Sequence, residues 1–223
     1  VCCFNSEKTL ISLIELNGNT VSVVTLPVSP AFASVQLNFS TSVSVVESVF
    51  TGQVQTQVWP GADMWSGTAT YAPLTQKQFN PIKAALMQMQ GMSNAFQIGD
   101  PLGATPAGTV QGTPVVDGSI AVVAGGITLY ARGFTPSQIN LLLPGDYLQV
   151  GYRLHTVLDA VISDSNGKAA INIWPSLREV PQDGEAIVTT NPVGLFRLAK
   201  NQGTWSSDFT KLTHVSFPFQ EFR

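Results

Sequence analysis

The sequence predicts a mainly β protein with one flanking α-helix: a β-sandwich lobe that carries the helix, and a second small β-sandwich or barrel lobe. Three observations carry this prediction. Apolar and polar residues alternate in residues 33–40, where Val35, Leu37 and Phe39 oppose Ser34, Gln36, Asn38 and Ser40, the period-2 pattern of a half-buried strand. Residues 75–90 form the one stretch with a helical stripe, Phe79, Ile82, Leu86 and Met89 standing three and four apart. The turn Asp164-Ser165-Asn166-Gly167 lies between two β-favouring runs and supplies the Asn and Gly that a tight return with positive φ needs.

Taken in order, residues 9–16 and 20–26 read as strands, with Asn17-Gly18-Asn19 as a hairpin tip between them. Residues 42–50 and 52–59 are β-favouring as well, and in the second Val54, Thr56 and Val58 oppose Gln53, Gln55 and Gln57. These runs are expected to join residues 33–40 in one sheet. At the helix start Thr75 and Gln78 fit a capping box, and Gly91 is placed to end the helix. Pro81 either removes one helical hydrogen bond or moves the start to Asn80. Met87, Met89 and Met92 read as adaptable core or interface filling.

Residues 94–118 are dense in Gly and Pro and predict an extended arm or long loop. Strand signals resume at 119–123 and 127–131, and a second cluster begins at Gly145-Asp146. It comprises 156–162 and 168–173 around the Asp164–Gly167 turn, then 186–190, 195–199 and 212–219. A boundary near 133–144 divides the chain into 1–132, with the helix near 75–90, and 133–223, with the option that the C-terminal strands return to the first lobe.

Composition narrows the function classes. Charged residues make up 11% of the 223, less than half of the roughly 25% usual in soluble domains, so Ser, Thr, Gln, Asn and Gly must cover much of the surface. Such a shortage fits a surface covered by neighbours, or else a Ser/Thr-rich secreted β protein. Net charge is −3, and between Lys8 and Arg132 the only basic residues are Lys77 and Lys83, so no specific nucleic-acid binding is expected. The only cysteines, the adjacent Cys2 and Cys3, make no disulfide framework and read as reduced thiols. No apolar run approaches the length of a membrane span, so no membrane insertion is expected, and the opening VCCFNSEK lacks the regions of a signal peptide.

The residues that carry chemistry are few and scattered. His155 lies in a β-favouring run and His214 near the C-terminus, with no ligand spacing around either, so both read as structural and no metal or cofactor is expected. No Ser sits in a Gly-x-Ser-x-Gly elbow, and no Gly-rich loop precedes a helix to cradle phosphate. The carboxylate pairs Asp159 with Asp164 and Asp183 with Glu185 sit at turn signals, where Asp is commonplace. The sequon Asn38-Phe39-Ser40 lies within a strand and is discounted. Trp59, Trp65, Trp174 and Trp205 are candidates for a sugar platform, with core packing or subunit contact as the stronger use. No catalytic, cofactor-binding or metal residue is therefore assigned, and no interface residue can be named.

A family resemblance rests on the order of short landmarks between about residues 50 and 200. They are Trp65-Ser66-Gly67, the helix containing Pro81-Ile82 and ending at Gly91, and Phe96-Gln97-Ile98-Gly99-Asp100-Pro101. Gly112-Thr113-Pro114-Val115, Gly145-Asp146-Tyr147-Leu148-Gln149-Val150, Trp174-Pro175-Ser176-Leu177-Arg178 and Gly194-Leu195-Phe196-Arg197-Leu198 follow. With these the chain resembles tail-tip proteins of tailed bacteriophages, most of all the distal tail proteins that join the tail tube to the baseplate hub. The resemblance implies a sandwich of the tail-tube type in a homohexameric ring, with the tail tube protein and a baseplate or tip hub protein as partners. It implies a virion location at the tail tip, after assembly in the host cytoplasm. The alternatives are another tail-tip or capsid-decorating subunit, or a carbohydrate-binding β-sandwich used in host recognition.

Overall fold

The computed structural model describes residues 11–16, 19–59 and 61–223; Cys2, Cys3 and the Asn17 and Gly18 of the expected hairpin tip lie outside the described residues. The chain is mainly β with one α-helix, as the period-2 patterns predict, and one of its sheets is nearly barrel-shaped. It divides into two compact units. One contains the described residues up to Leu37 with Ser66–Ile98 and Leu195–Arg223, and the other contains Asn38–Trp65 and Gly99–Gly194. The C-terminal strands belong with the first unit, the option the sequence left open, while the expected boundary near 133–144 lies inside the second unit, which also takes residues 38–65 and 99–132.

The first unit is built on a nine-stranded sheet. Strands β1 (Ile11–Leu16) and β2 (Asn19–Val24) pair antiparallel, from Ile11 opposite Val24 to Leu16 opposite Asn19. In chain order next come β3 (Phe32–Ser40), then β4 (Val43–Glu47) and β5 (Val54–Val58), which belong to the second unit, then β6 (Met64–Tyr71), β7 (Leu74–Thr75), α1 (Gln76–Gln88) and β8 (Ala95–Ile98). The sheet runs β1-β2-β8, then the late strands β15 (Gly194–Leu198) and β17 (Leu212–Glu221), then β6 and β3. The ten-residue β17 organises it. Its first half pairs with β7 and with β16 (Trp205–Ser207), and its second half with β6 and β15. Alternation along β17 buries Val215, Phe217 and Phe219. Phe219 meets Phe96 and Phe196 edge-on, with ring centroids 6.1 and 5.1 Å apart.

Helix α1 starts at Thr75 with a capping box in which Gln78 Oε1 accepts the Thr75 N–H at 3.0 Å. Its stripe buries Phe79, Ile82 and Ala85, with Met89 at the C-cap. Pro81 lies inside the helix, exposed, so the helix starts before it and one backbone bond is forgone. Gln90 (φ 49°) and Gly91 (φ 67°) turn the chain left-handed, while Asn94 Nδ2 donates to the Gln88 carbonyl at 2.7 Å.

The second unit holds the nearly closed sheet. Strands β9 (Gly112–Val116), β10 (Thr128–Phe134), β11 (Tyr147–Val150), β12 (Arg153–Val157), β13 (Ala169–Trp174) and β14 (Ile187–Val188) run in the order β14-β11-β12-β13-β10-β9, antiparallel throughout. A bridge between Val115 and Ala186 brings the two ends together. A six-stranded sheet closed this way encloses only side chains, here Leu129, Leu141, Leu148, Ile171, Ile173 and Phe134 among others. Gly133, at φ 89°, sits where the β9–β10 register shifts, the left-handed residue of a bulge.

Three expectations change here. Residues 94–118 are not one loop, because they contain β8, a 3₁₀ turn at Leu102–Ala104 and β9. Residues 119–123 form no strand. Leu158 N–H still reaches the Asn172 carbonyl of β13 at 2.9 Å, but the chain after it leaves the β12–β13 ladder and bonds to the preceding segment instead, Val161 N–H to Leu142 at 2.9 Å and Ser163 N–H to Gln138 at 3.0 Å. The Asp164–Gly167 turn forms, Gly167 N–H reaching the Asp164 carbonyl at 3.1 Å, but it ends an 11-residue connection (158–168) rather than a tight hairpin.

Candidate interaction surface

The titratable groups are built into the scaffold. His155 is buried on β12, its Nδ1 2.8 Å from the Pro175 carbonyl. His214, on β17, is half-exposed, with Nε2 3.6 Å from Asp208 Oδ2. Asp159 accepts a hydrogen bond from Asn172 Nδ2 at 2.8 Å, and Asp164 accepts the Asn166 and Lys168 N–H groups of its own turn. Asp183 accepts the Gly118 N–H at 2.8 Å, and Glu185 accepts the Gln182 N–H at 3.1 Å. These carboxylates fix loops, and among the described residues no group of His, Cys, Asp and Glu could hold a metal ion.

One ion network lies at the barrel's flank. Asp117, whose side chain is 1% exposed, meets Lys168 Nζ at 2.7 Å and Arg132 Nη1 at 3.7 Å, and Arg132 also reaches Asp183 at 3.0 Å. The hydrogen bond from Lys168, with others from Ser119, holds the Asp117 carboxyl well below the usual carboxylate range. The network ties the loop after β9 to β10 and to the start of β13. In the first unit, burial pushes the Tyr71 phenol up to about 12, and its ring packs 4.6 Å from that of Phe32.

Three of the four tryptophans, Trp59, Trp65 and Trp174, belong to the second unit and Trp205 to the first. Trp65 is buried, donates Nε1–H to the Leu154 carbonyl at 3.1 Å and stands edge-on to the half-buried Trp174 at 4.5 Å. Trp205 belongs to the other unit and is partly exposed; its ring lies 5.6 Å from that of Phe79 and carries Lys83 Nζ at 5.2 Å. Trp59 follows β5 and is half-exposed.

The surface that does stand out is the β4–β5 ribbon. Expected within a larger sheet, among the described residues these strands instead pair only with each other, Val43 opposite Val58 through Glu47 opposite Val54, and every residue of both is exposed. Alternation places Val43, Val45, Val54 and Val58 with Glu47 and Thr56 on one face, and Ser44, Val46, Gln55 and Gln57 on the other. The connecting turn, closed by Ser48 and Gln53, carries Val49 and Phe50 at 94% and 98% exposure. The ribbon is thus amphipathic, with its apolar face exposed among the described residues.

No protein-family model matches the chain, and no curated protein matches it.

A groove of about 570 Å³ in the first unit is the second surface feature. Leu86 and Met87 of α1, Leu198, Trp205, Phe217 and Pro218 give it an apolar lining, and Lys200 is its one charged lining residue. The end of α1 is tied to one wall, since Asn201 Oδ1 accepts the Met92 N–H at 3.1 Å. The sequence did not single out this groove, because its lining comes from segments more than 100 residues apart. The exposed ribbon was legible as two β-favouring runs, the second alternating, but alternation does not reveal whether an apolar face is covered.

Proposed function

We propose that this chain is a non-catalytic structural subunit of a phage tail tip, assembled as a ring, most simply a homohexamer, that joins the tail tube to a baseplate or hub protein. The observation that carries the reading is the β4–β5 ribbon with its uncovered apolar face, in a chain where only 11% of residues are charged. A lone protein with this surface is prone to associate, whereas a subunit in an assembly buries it. Among the described residues the nine-stranded sheet ends at β1 and β3, edges that can extend pairing between copies. A neutral polar channel wall would let DNA pass without holding it.

Electron microscopy of the purified protein tests this reading. Rings with a central channel are expected, and a chain that stays monomeric at all concentrations contradicts it. The glycan-binding alternative has weaker support, because Trp65 is buried and Trp205 lies in the other unit. Binding on a glycan array that disappears in Trp205→Ala would favour that alternative.

A further inference from the structure

We propose that the partner of the β4–β5 ribbon is the Trp205 groove of a second copy of this chain, with Phe50 seated in the groove and Glu47 facing Lys200 and Lys83. The proposal rests on the ring reading and adds the contact that would link one subunit to the next.

Shape, area and charge each support it. Phe50 and Val49 protrude from the ribbon turn almost fully exposed. A cavity of ~150 Å³ suffices for a benzene ring, and the groove offers about 570 Å³ with Trp205, Met87, Leu86 and Phe217 as its lining. The exposed parts of Val43, Val45, Val54 and Val58 on the apolar face, with Val49 and Phe50 of the turn, present on the order of 500 Å² of apolar surface, using about 100 Å² per valine and ~200 Å² per aromatic ring, close to the apolar share of a standard interface. A standard interface needs roughly 800 Å² per partner.

The charges are complementary. Residues 42–59 contain one charged side chain, Glu47, and it lies on the apolar face next to the turn. The groove offers only cations: Lys200 in its lining and Lys83 over the Trp205 ring. Ribbon and groove are different surfaces, so the contact is heterologous, the kind that closes into a ring when its rotation permits.

The test uses the full chain, with Cys2 and Cys3 replaced by Ser. Phe50→Cys and Gln202→Cys variants are mixed and oxidised, Gln202 being a lining residue of the groove. A disulfide-linked heterodimer that forms only in the mixture is expected. Phe50→Asp is expected to weaken self-association in sedimentation equilibrium by about 30-fold, the scale of an interface hot spot. Its circular dichroism should match the parent's, since the side chain touches solvent. Glu47→Lys should weaken association several-fold, and Lys200→Glu in the same chain should restore part of it. If Phe50→Cys cross-links to itself, the ribbons pack face to face and the proposal is overturned. If Phe50→Asp still forms the parent's rings, the proposal falls while the ring reading stands. If the parent forms no ring yet the mixed cross-link appears, the ring reading falls and the contact stands.

Discussion

Acid should act on this protein through four aspartates whose carboxyls are all held below their ordinary value of 3.8. Hydrogen bonds do this: from Lys168 and Ser119 for Asp117, from the Lys168 and Asn166 backbone for Asp164, from the Gly118 backbone for Asp183, and from the Thr210 side chain and Leu212 backbone for Asp208. A carboxylate with a depressed folded-state value binds its proton more readily when unfolded. The stability it contributes is therefore complete above about pH 5, and is lost as pH falls through 3.8 towards the folded value. The urea midpoint should hold steady from pH 7 to about 5 and then drop, and Asp117→Asn should start lower and lose less of it on acidification. Gly67 gives a second prediction at this scale. A Cβ there would press on the Gln36 carbonyl and stand 2.6 Å from the Phe219 ring, so Gly67→Ala should lower stability by about 1–3 kcal/mol in a denaturant titration.

Among the elements, α1 and the β4–β5 ribbon should respond to mutation in opposite ways. Ile82 is fully buried beneath the helix, and Ile82→Ala should cost about 2–5 kcal/mol by chemical denaturation. Replacing Val45 and Val54 by Thr on the ribbon should leave stability within about 0.5 kcal/mol, because both side chains already face water, while reducing self-association. The sequence made α1 legible through its 3–4 spacing and its Thr75–Gln78 cap, and β3 and β5 through alternation, while β17 was read only as a β-favouring run. It hid β6 for a physical reason. Trp65, Gly67, Ala69 and Tyr71 are the buried set there, and Gly and Ala give no hydrophobic signal even though Gly67 must be small for Phe219 to seat. Strands β8 and β9 were masked by the surrounding Gly and Pro. Residues 119–123 looked like a strand because they are apolar, yet they lack the alternation a ladder imposes. The groove was illegible because its lining joins α1 to the 198–205 and 216–218 segments, which only the fold brings together.

For the whole molecule, the low charge content sets how any assembly should respond to salt. With 11 basic and 14 acidic residues in 223, few ion pairs are available to hold copies together, and exposed pairs are worth little in any case. Contacts made by the ribbon's valines, Phe50 and neutral polar strands would bury apolar area, which added salt does not screen and sulfate strengthens. Raising NaCl from about 0.1 to about 0.5 M should therefore lower the associated fraction only slightly in sedimentation velocity, by the screening of Glu47 against Lys200 and Lys83, and ammonium sulfate should increase it. Loss of association at the higher NaCl would place the main contact on charged residues instead. The same shortage of cations bears on DNA. A surface that neutralises few phosphates releases few counterions, so a labelled duplex should show no anisotropy change with the protein at about 0.1 M salt. Tight, salt-sensitive binding would require a basic face that the distribution of Lys and Arg does not provide, and would argue against a neutral channel wall.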